Sequence, residues 1–392
     1  MDILVDIAVE HVGQERLVPT WDITFSTHVD ATAPDIVAAT AKIEALAAVI
    51  RGIPIPPRVQ SKIDALNIIR AVRGTTGIEC SELREDEVER IISSPDERAL
   101  PVTREREEQE ARNAATVMKF VAETIRKEPA TPLTEQLICK IHDLTTQGIA
   151  YPNNDPGHYR EHATSAGTYV PPRTGAEVRL LMAEFIQWFN EGPPRTWSPA
   201  IAAIVAHFYV VSIHPFGDGN GRTARAVESF LLYRGRVNAR GFYSLANYYY
   251  QNRSEYISWL DRVRFETQGD LTPFVRFALT GLVDELESIH QTVLDEVKIF
   301  AFRDCARETL MLQGKMGTKA GERMYHFLLG LAEEPVSLTE LGRGRHWLSD
   351  FYRSVTPKTL NRDLNFLRAQ NLVVINGDEI QANLNLMEEF VP

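Results

Sequence analysis

Residues 214–225 read His-Pro-Phe-Gly-Asp-Gly-Asn-Gly-Arg-Thr-Ala-Arg. One imidazole, one carboxylate, one amide, two guanidiniums and three glycines fall within twelve positions. That set suits a metal-bound polyphosphate held beside a proton acceptor. His214 can act as a general base with a pKa near working pH. Asp218 is a hard oxygen ligand of the kind Mg²⁺ accepts alongside waters and substrate phosphates. Asn220 and the N–H groups of Gly219 and Gly221 can bond phosphate oxygens. Arg222 and Arg225 share one helix face and can clamp further phosphates with their planar forks. Gly217, Gly219 and Gly221 free the backbone to take positive φ and to approach a ligand closely.

Two helices must position these groups. Residues 201–213 are almost all apolar, too few to span a bilayer, and read as a buried helix stopped by Pro215. From Arg222 onward Ala224, Val227, Phe230 and Leu231 return at three- and four-residue spacing, which predicts a second helix. A glycine loop thus opens onto a helix N-terminus, where free N–H groups and the macrodipole favour an anion.

The stretch resembles, position for position, the signature HPFx[DE]GNGRxxR of Fic-domain proteins. Pro156-Gly157-His158-Tyr159-Arg160 and Tyr169-Val170-Pro171-Pro172 are similar to the segment that carries the family's substrate-docking flap. Trp188-Phe189-Asn190 and Ser198-Pro199-Ala200 also sit where such domains have similar residues. The resemblance extends over about residues 55 to 285. It implies a mainly α fold, a Fic-type helical core with a short β-hairpin flap. It also implies a protein adenylyltransferase that moves AMP from ATP, with Mg²⁺, onto a Tyr, Thr or Ser hydroxyl of a target protein or of itself. By the same resemblance His214 is the base and Asp218 the Mg²⁺ ligand. Asn220 and Arg222 bind phosphate, Arg225 meets the γ-phosphate, and Phe216 anchors the loop in the core. Thr168, Tyr169 and Val170 would form the flap that docks a target segment by strand addition. Asn252 and Tyr256 lie in a segment that resembles one bordering the family's nucleotide cleft.

A second pattern lies upstream. Ile63, Leu66, Ile69 and Val72 fall at helical spacing and lead into Thr75-Thr76-Gly77-Ile78-Glu79. This resembles the [ST]xxxE[GN] inhibitory helix of the same family, with Cys80 where Gly or Asn is usual. The resemblance implies that Glu79, with Thr75, engages Arg225 and shuts the γ-phosphate position. Gly74 and Gly77 weaken such a helix by about 1 kcal/mol each relative to alanine.

The chain has 392 residues, enough for two or three domains, and a net charge of −11, which argues against bulk nucleic-acid or anionic-membrane binding. Three scattered cysteines without a CxxC, the absence of a long apolar run and an acidic start predict a cytoplasmic protein with no membrane partner. The expected organisation is an N-terminal cover and linker over 1–57, with short strands around Ile3, Val5, Ile7, Ile23 and Phe25 or an irregular cover there, and a helix over 33–51. An inhibitory-helix region over 58–100, a catalytic core over 101–290 and a bridging helix over 291–317 follow. Residues 318–392 predict three helices and a hairpin with an Asn-Gly turn, which resembles a winged helix-turn-helix. Two uses of that unit stay open: DNA recognition, and protein docking or dimerisation. Two alternative activities also stand beside the leading one. The same site could remove AMP or use another nucleotide, or a DNA-binding regulator could sense nucleotide through the core.

Overall fold

The computed structural model describes residues 22–25, 28–79, 82–94, 97–238, 245–267 and 269–390. The strands expected around Ile3, Val5 and Ile7 lie outside these residues, as does Cys80, while Ile23 and Phe25 form no strand. The chain is mainly α and falls into two compact units, one of residues 1–54 and 60–288 and one of residues 55–59 and 289–392.

The first unit holds α1 (Pro34–Gly52), most of α2 (Pro57–Gly77), α3 (Glu85–Ser93), α4 (Glu105–Lys127), α5 (Glu135–Thr146), α6 (Gly175–Glu191), α7 (Pro199–Ile213), α8 (Asn220–Arg234), α9 (Leu245–Gln251), α10 (Arg253–Phe265) and the start of α11 (Thr272–Leu312). At its centre is α7. Ser198 caps it by accepting the Ile201 N–H, Pro199 sits in its first turn, and every residue from Ala200 to Ile213 is buried. A helix apolar all round has no face to give to water, and each Val, Ile or Phe it buries contributes roughly 1.5–3 kcal/mol. Helix α8 runs back along α7: a Cβ at Gly235 would lie 2.2 Å from Pro199 Cβ, so the end of α8 touches the start of α7. The break between the two helices is the loop that carries the motif.

Two expectations change here. The bridging helix over 291–317 is not a separate element, because α11 runs unbroken for 41 residues from Thr272. No Pro or Gly signal interrupts its apolar spacing near 290. The flap is not a two-stranded ribbon: a single antiparallel bridge joins Ala166 to Tyr169 across Gly167 and Thr168.

In the second unit the later part of α11 contributes Phe302, Ala306 and Leu310 to a core shared with Phe327, Leu348, Leu367 and Ile380. Its remaining elements are α12 (Lys319–Leu331), β1 (Val336–Ser337), α13 (Leu338–Gly342), α14 (Pro357–Ala369), β2 (Val373–Asn376) and β3 (Glu379–Ala382). The three strands pair antiparallel in the order β1-β3-β2, with Asn376 opposite Glu379. The hairpin turn is therefore Gly377-Asp378, one residue later than expected. Gly377 takes the positive φ of 63° that the first turn position requires. Asp378 then accepts from Ser337 Oγ and from the Thr339 N–H and Oγ1, tying the turn to the start of α13.

Candidate active site

The loop begins with a distorted residue. His214 ends α7 in the left-handed region at φ 51°, its N–H still bonded to Val210 O, and Gly219 at φ 70° starts α8. Between them Asn220 folds its amide back. Nδ2 donates to Phe216 O and Oδ1 accepts from Phe216 N, both at 2.9 Å. Asn220 is buried, and its amide oxygen and one amide hydrogen hold the loop backbone at Phe216. Phe216 is fully buried, as the core-anchor reading requires, and its ring stacks on His142 at 3.7 Å. Gly217 passes so close to the 153–154 backbone that a Cβ would meet Asn153 O at 2.2 Å.

No motif in the sequence marks His142. It lies on α5, accepts the Gly157 N–H on Nδ1 and bonds Asp218 O through Nε2 at 3.0 Å, joining two loops from behind. Asn154 likewise accepts the Asp218 N–H. Neither has a spacing signal, since 76 and 64 residues separate them from Asp218.

His214 keeps Nδ1 3.3 Å from Val211 O, so Nδ1 carries the proton and Nε2 keeps a lone pair. Burial pulls its pKa down to about 4, and burial does the same to His142, also to about 4. Both rings are therefore neutral at neutral pH. The unfolded chain takes these protons near the ordinary value of 6.5, so stability is complete above that pH and drains away as pH falls towards 4. At pH 5 the fully buried His142 alone should cost on the order of 2 kcal/mol. Calorimetry of the protein from pH 7 to 5 should show a falling unfolding midpoint, and a flat profile would contradict these neutral burials.

Arg160, itself buried, fastens the loop to the flap segment. Its Nε donates to His214 O at 2.7 Å, while Nη1 and Nη2 donate to His162 O and Pro172 O, each at 2.6 Å. Tyr169 is corrected as a docking residue. Its ring is buried beneath Arg264, 4.1 Å from the guanidinium, and its hydroxyl donates to Ser212 O. Thr168 is exposed at the tip and Val170 half-buried, so any docking edge is theirs and not that of Tyr169.

Both motif arginines converge on Glu79, just beyond the end of α2. Arg225 Nη2 donates to Glu79 Oε1 at 2.9 Å, and Arg222 Nε pairs with Oε2 at 2.7 Å. Arg225 also donates through Nε to Thr75 Oγ1 and through Nη2 to Thr75 O. The sequence implied one partner for Glu79; the fold supplies two. Burial works to raise the Glu79 pKa, but the two guanidiniums outweigh it and hold the carboxyl below its usual value. Arg222 reaches further, to Asp218 Oδ1 at 3.2 Å, Glu110 Oε1 at 3.3 Å and the Tyr151 hydroxyl at 2.8 Å. Asp218 is partly exposed, and burial raises its pKa against the pull of Arg222.

The glycines of α2 have a use the sequence did not reveal. A Cβ on Gly74 would lie 2.6 Å from the backbone of Ala246 and Asn247, and one on Gly77 would lie 2.5 Å from the Tyr250 ring. They weaken the helix but let it lie directly on α9. Gly221 does the same from the other side, where a Cβ would sit 2.7 Å from Glu79 Oε1. Arg253 then caps the end of α2 by donating to Ile78 O. Asn252 is half-buried with Nδ2 on Tyr248 O, and Tyr256 is buried, bonded to His207 and lying against Arg225. Both serve the packing below the arginines.

The chain is similar to known proteins in sequence and in fold. Residues 132–232 match the Fic/DOC family. The protein adenylyltransferase Fic of Drosophila melanogaster is 37% identical over 121 residues, 31% of this chain and 23% of that protein. Its Drosophila erecta counterpart is also 37% identical over 121 residues, 31% of this chain and 22% of that protein. The matched stretch thus spans less than a quarter of these relatives' length. Among solved structures, Fic-1 from C. elegans (residues 134–508) gives a TM-score of 0.56 at 22% identity, over 67% of this chain and 74% of that one. A Fic family protein from Desulfovibrio desulfuricans G20 gives 0.53 at 20% identity, over 93% of this chain and 98% of that one. Motif, matched segment and fold agree: residues 132–232 of this chain are similar to the Fic/DOC family, and the fold is that of solved Fic proteins.

Proposed function

We propose that this protein is an autoinhibited protein adenylyltransferase, transferring AMP from ATP to a Tyr, Thr or Ser hydroxyl of a target protein and of itself. The observation that carries the reading is the Glu79 carboxylate at the N-terminus of α8, paired with both Arg222 and Arg225. A carboxylate there takes the place of an anionic ligand at a helix N-terminus. The relatives named protein adenylyltransferase supply the reaction class.

In this reading His214 Nε2 takes the proton of the acceptor hydroxyl, which then attacks the α-phosphorus while pyrophosphate leaves. Arg225 receives the γ-phosphate once Glu79 withdraws, and Arg222 neutralises charge on the remaining phosphates. Such chemistry needs little from the protein beyond position and charge. The residues fit Mg²⁺: Asp218 offers a part-exposed hard oxygen, and among the described residues no cluster of three His, Cys, Asp or Glu competes for the ion. When bound there the ion would neutralise phosphate charge and assist the leaving group.

The test is to incubate wild type and Glu79→Gly with each of the common nucleotides, α-labelled, with Mg²⁺ and cell lysate. Label from ATP on protein, stronger in the variant, is expected. Preferential label from another nucleotide would reassign the donor, and loss of label from pre-modified protein would assign AMP removal. No labelling by either protein would sink the reading.

For residues 318–392 the proposed role is partner docking, protein or a second copy ahead of DNA. Lys358, Arg362 and Arg368 share the exposed side of α14 with Asn361 and Asn365, but the chain as a whole is strongly acidic. Binding to DNA fragments that weakens steeply with salt would overturn that order. No helix among the described residues is long and apolar enough to cross a membrane.

A further inference from the structure

Arg225 is 1% exposed, and its hydrogen bonds to Thr75 and Glu79 all come from α2 or the residues just beyond it. Among the described residues Glu79 is the carboxylate paired with it. If α2 withdraws to admit a nucleotide, these bonds leave together. A buried guanidinium would then stand unpaired until polyphosphate arrived, which carries a heavy desolvation penalty.

One turn along α8 lies Glu228, fully buried, on the same helix face as Arg225. Tyr249 of α9 donates to its Oε1 at 2.9 Å, while Oε2 has no hydrogen-bond partner. His207 of α7 approaches Oε2 with Nδ1 at 3.8 Å, and its Nε2 bonds the Tyr256 hydroxyl of α10. Tyr256 stacks on Tyr249 at 4.6 Å and lies against Arg225. Burial holds His207 neutral, and Arg264 of α10 is occupied by Ser212 and Asp261. Arg225, one turn away on the same helix face, is therefore the cation whose charge acts on this carboxyl. With Glu79 in place, burial keeps Glu228 protonated, its pKa pushed up to about 8.

We propose that Glu228 is the reserve counter-ion of Arg225, a positioning residue that ionises when the Glu79 carboxylate leaves and keeps the guanidinium in place for the nucleotide. The proposal rests on the inhibitory role of Glu79. One negative charge withdraws with Glu79 and one proton leaves Glu228 for solvent, so the pocket keeps its net charge. Transfer of that proton to His207 would create an internally balanced pair and leave Arg225 uncompensated.

The test is infrared difference spectroscopy at neutral pH on wild type, Glu79→Gly and Glu228→Gln. A carbonyl stretch of a protonated carboxyl should appear in wild type, vanish in Glu228→Gln and vanish in Glu79→Gly. Should Glu228→Gln fail to fold, Glu228→Asp assigns the band by shifting it. A band that persists in Glu79→Gly, or none in wild type, overturns the proposal. This readout needs no activity, so it can succeed or fail separately from the labelling experiment. In the Glu79→Gly background, adding Glu228→Gln should raise KM for Mg-ATP about tenfold with kcat nearly unchanged, the split expected when binding of the γ-phosphate is lost. Adding Glu228→Asp should recover part of it. An unchanged KM also overturns the proposal.

Discussion

His214→Ala, introduced into the unlocked Glu79→Gly protein, should cut transfer of α-label from ATP to protein by about 10²–10⁴-fold, the usual worth of a positioned general base. Nε2 is the lone pair left once Nδ1 faces Val211 O, and the depressed pKa keeps it unprotonated at neutral pH. Backbone strain complicates the alanine variant, because position 214 has φ 51° and alanine is poorly suited to that region. Asparagine tolerates it better, so His214→Asn separates chemistry from folding. Both variants should be equally inactive while the asparagine protein unfolds close to the parent midpoint. Undiminished labelling by the asparagine protein would remove His214 as the base.

Glu79→Gly should raise self-modification on the order of 100-fold. Breaking a buried ion pair by deleting one partner costs about 3–5 kcal/mol, and the partial exposure of Glu79 brings this down to roughly 2–3. Each 1.4 kcal/mol of lost locking is about tenfold in the open population. The same deletion leaves two buried guanidiniums without that carboxylate, so the unfolding midpoint should fall while activity rises. Kinetic labelling and calorimetry on one preparation check both signs. A variant that gains neither activity nor loses stability would show that the contacts seen at Glu79 do not govern the site.

The catalytic loop was legible because its chemistry is local. Twelve consecutive residues hold the proposed base, the carboxylate and both arginines, and the flanking periodicity announced α7 and α8. Glu79 was legible only through a family pattern, and its pairing with Arg222 as well as Arg225 needed three-dimensional information. The loop-shaping bonds of Asn220 to Phe216 were not legible, because a free amide and one folded back on the backbone look identical in sequence. Tyr169 was misread because nothing nearby in sequence signals that Arg264 and Ser212, from later helices, bury its ring. His142, Asn154 and the quartet of His207, Glu228, Tyr249 and Tyr256 come from separate helices and loops, and no spacing rule links them. The turn at Gly377-Asp378 was displaced by one residue because Asn376 offers an equally good turn dipeptide, and strand register decides between the two.

Intact-mass measurement of the Glu79→Gly protein after incubation with Mg-ATP tests the central claim most directly. A gain of whole adenylyl groups, absent from wild type treated alike and absent when His214 is also replaced, is the predicted result. An unmodified mass, or a gain of phosphoryl groups instead, would contradict it.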